Sequence, residues 1–209
     1  MPTILLIRHA ENEYMKKGRL AGRLPGVHLS ELGRQQAQAA AQALGRRFPE
    51  KNVKALYSSP LERTMETAAP MAVALGLEVI QLPGLLETDI GEWQGKSVKG
   101  LCRLKVWKIV QNRPSLFRFP GGETFVDTQQ RICQVLSNLS IQHEAKDILI
   151  CVTHADPIKL AVAYFTGIPL DLFQRLSVAP ASITTLSINA TDVHLHNLNV
   201  DLALIQNKQ

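Results

Sequence analysis

Little of this chain is cysteine, aromatic or continuously apolar, and each shortage closes off a class of protein. Only three cysteines occur in 209 residues. Cys102, Cys133 and Cys151 are widely spaced and odd in number, with no Cys-x-x-Cys pair, so neither a disulfide framework nor a zinc site is indicated. Cys151 lies inside an apolar run and reads as a buried thiol. Aromatic residues make up only 5%, too few for a base-stacking platform, so nucleic acid is not expected as a partner. No stretch reaches the ~18 consecutive apolar residues of a membrane span. The opening Met1-Pro2-Thr3-Ile4 carries no basic signal segment. A cytoplasmic location is therefore expected. Internal repeats, linkers and low-complexity segments are also missing, so residues 1–209 are expected to form one domain.

What is present is an apolar fraction of 45%, enough for a full core, and a net charge of +5 spread along the chain. That excess favours small anionic ligands. Short apolar runs alternate with amphipathic stretches. Strands are expected at 3–8, 53–57, 78–82 and 148–153, with a closing hairpin at 182–188 and 193–197. Helices are expected at 31–47, capped by Ser30 with Leu32, Ala37, Ala40, Ala41, Leu44 and Phe48 on one face, and at 61–75, kinked by Pro70 and ended by Gly76. Further helices are expected at 98–112, 123–143, from Asp156-Pro157 to about Phe165, and over Pro169–Arg175. This alternation implies an α/β fold. It should be a three-layer α-β-α sandwich whose mainly parallel central sheet carries helices on both faces and an antiparallel edge strand.

Three of the expected strands end abruptly in polar groups: Arg8-His9, then Ser58-Ser59-Pro60-Leu61-Glu62-Arg63, then Thr153-His154-Ala155-Asp156. Ligands of open α/β sheets bind at the carboxyl ends of strands. Parallel neighbours would bring Arg8, His9, Arg63 and His154 into one crevice. Two guanidinium forks and two imidazoles there suit a phosphoryl group without a metal or other cofactor, and helix N-termini would add N–H donors. His28, His143, His194 and His196 show no grouping with carboxylates that suggests a metal.

The ordered motifs resemble the histidine phosphatase superfamily, also called phosphoglycerate-mutase-like. Its Arg-His-Gly signature stands here as Arg8-His9-Ala10. Its Ser-Ser-Pro-Leu-x-Arg-Thr-x-Glu-Thr-Ala segment matches residues 58–68. Its Leu-x-Glu…Gly-x-Trp-x-Gly segment matches Leu85-Leu86-Glu87 and Gly91-Glu92-Trp93-Gln94-Gly95. Its late Ser/Thr-His-Gly stands as Thr153-His154-Ala155. Leu29-Ser30-Glu31-Leu32-Gly33 and Pro120-Gly121-Gly122-Glu123-Thr124 also fit. The resemblance implies a phosphomonoesterase in which His9 becomes phosphorylated while Arg8, Arg63 and His154 hold the phosphoryl oxygens. Glu87 would be the proton donor and later the base. Such a glutamate needs a raised pKa, which burial near Trp93 would supply. Asp156 is the competing acid; its plain reading is an N-cap with Pro157 opening the helix.

Several positions depart from the family pattern. Ala10 and Ala155 replace glycines, and ordinary φ is expected at both. Asn12 stands where Thr or Ser is common and can still donate to phosphate. Met15 stands where Asn is common and cannot usefully donate. Ala21-Gly22 replaces the Thr-Gly of mutases, and Thr88-Asp89-Ile90 lacks their Arg and aromatic. These differences favour hydrolysis of a small phosphorylated metabolite over mutase chemistry. A cofactor-dependent phosphoglycerate mutase and a phospho-ligand binding module with little turnover are the alternatives. The basic segment 93–122 is open between a solvated helix, with its stripe at Leu101, Leu104 and Trp107/Lys108, and a lid that uses Phe117 and Phe119. Pairing of two chains through C-terminal edge strands is a further expectation.

Overall fold

The computed structural model describes residues 1–48 and 53–201. Among these residues, six strands form one sheet: β1 (Thr3–Arg8), β2 (Val53–Ser58), β3 (Val79–Gln81), β4 (Ile148–Thr153), β5 (Ser182–Ile188) and β6 (Val193–Asp201). Their spatial order is β3-β2-β4-β1-β5-β6. The first four strands in that order are mutually parallel. The β5–β6 hairpin adds antiparallel strands beside β1. Among the described residues, seven α-helices accompany the sheet: α1 (Glu13–Lys16), α2 (Glu31–Arg47), α3 (Glu62–Leu75), α4 (Val98–Leu101), α5 (Trp107–Asn112), α6 (Phe125–Gln142) and α7 (Ala155–Phe165).

Side chains on a strand alternate between the two faces, and both faces of this sheet are apolar. Leu5, Ile7, Leu56, Ile150 and Val152 pack against Ala40, Ala41 and Leu44 of α2 and Ala68, Met71 and Leu75 of α3. Ile4, Leu6, Leu149 and Cys151 face the other way, against Ile132, Leu136 and Leu139 of α6 and Ile158, Ala161 and Val162 of α7. The expected α-β-α layering follows from this two-sided burial. Each large aliphatic side chain enclosed here contributes about 1.5–3 kcal/mol.

Local chemistry sets the helix ends. Ser30 Oγ accepts from Gly33 N at 3.0 Å to start α2. Gly33 itself is dictated by a close approach, since a Cβ there would lie 1.9 Å from the Glu11 carbonyl oxygen. Thr124 and Asp127 cap α6 reciprocally. α3 runs through Pro70 and stops at Gly76, which is left-handed with φ 64°.

Three sequence expectations need correction. Leu32 does not join the buried face of α2 and is 49% exposed. It precedes Ala37 by five residues, which rotates it about 140° around the helix. The single helix expected over 98–112 is instead two short ones, α4 and α5, joined by a turn, and Leu104 is exposed. Leu101 and Val110, both buried in the same cluster, are nine residues apart and so about half a turn out of phase on one straight helix; the break lets both face inward. Finally, Asp156 is not the N-cap of α7. His154 holds that place, with extended backbone.

Candidate active site

The register of the sheet brings the functional groups together. Arg8 pairs with Thr153 across β1 and β4. His9 N then donates to Thr153 O at 2.9 Å, and Ser59 N donates to Val152 O at 2.9 Å. His9, Ser59 and His154 therefore leave the sheet at one edge, the carboxyl ends of three parallel strands. Arg63 reaches the same place from the first turn of α3 and is only 1% exposed. The His9 and His154 rings meet edge to face, with centroids 5.2 Å apart.

Arg63 spans both rings. Its Nε donates to His9 Nε2 at 3.3 Å. Its Nη2 donates to His154 Nδ1 at 3.2 Å and to the Gly22 carbonyl at 2.7 Å. Burial pulls this guanidinium down to about 10, so it stays charged at neutral pH. The acceptor at Ala10 O, 2.7 Å from His9 Nδ1, fixes that ring's tautomer. Nδ1 carries the proton, and Nε2 presents its lone pair beside Arg63. Burial, then the charges of Arg63 and Arg8, hold His9 well below the ordinary imidazole range. His154 is also held well below it, by burial and then by Arg63. His154 Nε2 lies 2.9 Å from Ser59 Oγ. With Nδ1 accepting from Arg63, Nε2–H donates to that hydroxyl.

Arg8 is held by the Val178 carbonyl, 2.6 Å from Nη1, and by Met15 Sδ, 3.6 Å from Nη2. Arg8 Nε and Arg63 Nη1 are buried without an acceptor among the described residues. Each unpaired buried donor costs about 1–3 kcal/mol, a penalty that an anion with several oxygens would relieve. Both side chains line the same open cavity of about 740 Å³, including the solvent at its mouth.

Glu87 and Asp156 both line this cavity, but they differ in surroundings. Glu87 Oε1 accepts from Thr88 N at 2.9 Å, and Oε2 lies 4.0 Å from His154 Nδ1. Burial and then the Asp156 carboxylate push the Glu87 carboxyl up to about 7, against the opposing pull of Arg63 and Arg8. Asp156 Oδ1 is instead paired with Lys159 Nζ at 2.9 Å, one helical turn on. Trp93, expected as a source of burial, is 4% exposed and lines the cavity.

Ala10 and Ala155 both keep ordinary φ, as expected. Asn12 Oδ1 accepts from Met15 N at 2.8 Å and caps α1, which leaves Nδ2 as its donor for a ligand. The segment 93–122 supplies Trp93, Trp107, Val110, Gln111 and Phe119 to the cavity wall. Phe117 is behind them, buried against Trp93 and Phe119. Sequence reasoning missed Ser59, the Gly22 carbonyl and Gln174. Ser59 stood inside a motif already noted, next to a strand end, and could have been found. The other two carry no local signal. Among the described residues, no group of three or more His, Cys, Asp or Glu is arranged to hold a metal ion.

The chain is similar to known proteins over nearly its whole length. Residues 4–201 match the family model described as the histidine phosphatase superfamily, branch 1. Phosphoserine phosphatase 1 of Hydrogenobacter thermophilus is 30% identical over 202 residues, which cover 96% of this chain and 93% of the relative. A 2,3-bisphosphoglycerate-dependent phosphoglycerate mutase of Thermoplasma acidophilum is 27% identical, covering 90% and 88%. Among solved structures, a mycobacterial glucosyl-3-phosphoglycerate phosphatase in complex with VO3 superposes with TM-score 0.85 at 27% identity, covering 95% of this chain and 99% of that one. A mutant phosphoserine phosphatase from Entamoeba histolytica with phosphoserine also gives 0.85, at 25% identity, covering 98% and 100%.

Proposed function

The chain belongs to the histidine phosphatase superfamily, and on that footing we propose that it hydrolyses small phosphomonoesters through a phosphohistidine on His9. The supporting observation is the fixed tautomer. Ala10 O accepts a hydrogen bond from Nδ1–H, and the neutral Nε2 is left beside Arg63. Nε2 attacks phosphorus, an N–P bond forms and the P–O bond to the alcohol breaks. Protonated Glu87 gives its proton to the departing oxygen. Arg8 Nε and Arg63 Nη1, both unpaired and buried, bind phosphoryl oxygens and offset the charge that moves onto them. His154 joins them from Nδ1 in its other tautomer: the ring proton moves from Nε2 to Nδ1, Arg63 Nη2 keeps its bond to Gly22 O and releases Nδ1, and the Ser59 hydroxyl turns to donate to Nε2. In the second half, the Glu87 carboxylate takes a proton from water. Water oxygen attacks phosphorus, the N–P bond breaks, and phosphate leaves with His9 and Glu87 restored.

Asn12 Nδ2 is a fourth donor for the phosphoryl group. The chain acts as one domain, and segment 93–122 closes over the alcohol half of the substrate. The enzyme works in the cytoplasm, and β6, last in the strand order among the described residues, is where two copies would pair. Neither nucleic acid nor membrane enters this function.

The test is trapping of labelled phosphoenzyme from a phosphomonoester, followed by acid. Wild type should give an acid-labile label, and His9→Ala should give none and release no phosphate. Turnover by His9→Ala would sink the mechanism. Phosphate transfer to a phosphoglycerate instead of release would point to the mutase.

A further inference from the structure

Among the described residues no side chain hydrogen-bonds the Glu87 carboxyl: Oε1 accepts from the adjacent Thr88 amide, and His154 Nδ1 stands 4.0 Å from Oε2. Its position is set by its backbone, and that backbone is irregular apart from a short 3-10 turn at Pro83–Leu85. Two arginines grip this segment. Arg131, on α6, donates to Gly84 O and Leu86 O at 2.9 Å each and to Glu87 O at 3.4 Å. Arg23 Nε donates to Glu87 O at 2.7 Å.

Both guanidiniums converge on one oxygen. Glu123 Oε1 accepts from Arg23 Nη2 and Arg131 Nη2 at 2.8 Å each. The same oxygen accepts from the Asp89 amide at 2.9 Å and the Thr128 hydroxyl at 2.7 Å. Glu123 N in turn donates to Asp89 O at 2.9 Å. The Glu123 side chain is 18% exposed, and the two arginines 26% and 23%. Charge-assisted bonds sheltered to this degree are stronger than neutral ones. Although burial pushes the Glu123 carboxyl upward, the Thr128 hydroxyl, the Asp89 amide and the two arginines together hold it below the usual range. It is therefore a carboxylate at neutral pH.

We infer that Glu123 is a positioning residue for Glu87: it locks Arg23 and Arg131 across residues 84–89 and so fixes where the proton donor enters the cavity. This rests on Glu87 being the proton donor proposed above. Glu123 touches no reacting atom. Its effect should therefore be confined to the step that needs a well-placed proton.

Single-turnover cleavage of two aryl phosphates separates that effect from general damage. Phenyl phosphate releases a basic oxyanion that needs the proton; 4-nitrophenyl phosphate releases a weakly basic one that does not. Glu123→Ala should slow phenyl phosphate cleavage on the order of 10–100-fold. It should slow 4-nitrophenyl phosphate cleavage less than about threefold. Glu123→Gln, which keeps an acceptor oxygen, should recover most of the loss. Arg23→Ala should repeat the discrimination and carries the test if Glu123→Ala does not fold. Equal slowing of both esters, or of neither, overturns the inference. Glu87→Gln in the same assay keeps the two ideas apart. If it fails to discriminate, the proton-donor role falls. If it discriminates while Glu123→Ala and Arg23→Ala do not, only the positioning role falls.

Discussion

The pH dependence of kcat/KM should be governed by Glu87, and replacing its neighbour should move it. A carboxyl at about 7 is half protonated at pH 7. A carboxyl at the ordinary 4.5 would be protonated to about 0.3% there. The environment thus enlarges the working population of acid roughly 150-fold. His9 sets no competing limit near neutrality, because its pKa lies well below 6.5 and the ring is already neutral. kcat/KM for an alkyl phosphate should hold steady below pH 7 and fall about tenfold per pH unit above it. Phosphomonoesters also titrate near pH 6; that ionisation is common to all variants and divides out in a ratio to Glu87→Gln. Asp156 is the second cause, after burial, of the raised carboxyl, so Asp156→Asn should move the alkaline limb to lower pH without abolishing it. Initial-rate measurements from pH 5 to 9 on wild type, Glu87→Gln and Asp156→Asn decide the matter. An alkaline limb that survives in Glu87→Gln and vanishes in Asp156→Asn would refute the assignment and make Asp156 the acid.

Other consequences can be checked beside it. Arg63→Ala removes the cation shared by both imidazoles and should lower kcat/KM on the order of 1000-fold. Loss of that charge should also raise the His9 pKa, so any acidic limb moves to higher pH. Glu87 should weaken the fold in alkali. Its folded pKa is raised, so the protonated form is favoured; the penalty is absent below about pH 4.5 and complete once pH has passed about 7. Glu87→Gln should therefore gain up to about 3 kcal/mol over wild type between those limits, read by urea unfolding at pH 4 and pH 8.5; an equal difference at both would contradict it. Gly33→Ala forces a Cβ to within 1.9 Å of Glu11 O; thermal melting should drop by roughly 4–8 °C.

How much of this was legible in sequence depended on where each signal is stored. The strand ends were legible because an apolar run that stops at Arg8-His9 or Thr153-His154 marks both an element and its exposed tip. The layering was legible because Leu5 and Leu6, or Ile150 and Cys151, are all apolar, as a sheet covered on both faces requires. Segment 98–112 was not legible as two helices, since its division answers to a cluster built with Phe125 and Phe173 from elsewhere in the chain. The acceptors at Ala10 O, Gly22 O and Val178 O were invisible for another reason: every residue has a carbonyl, and only the fold decides which one meets an imidazole or a guanidinium. The second part of Asn12, as the cap of α1, was not legible because a capping oxygen and a donor nitrogen belong to the same side chain. Glu123 stood in a noted motif, but its partners Arg23 and Arg131 stand in no shared pattern.

The place of β4 in the sheet bears on how the enzyme is born. β1 pairs only with β4 and β5 among the described residues, and both lie late in the chain. Arg63 is 54 residues from one imidazole it touches and 91 from the other. A nascent chain that has emerged only as far as α6 therefore holds β1 with neither neighbour, and His9 with no ladder to fix its direction. Such long-range pairing folds slowly. During synthesis the first 147 residues carry most of the catalytic side chains and none of the catalysis. The site can be complete only after β4 has taken its place between β1 and β2.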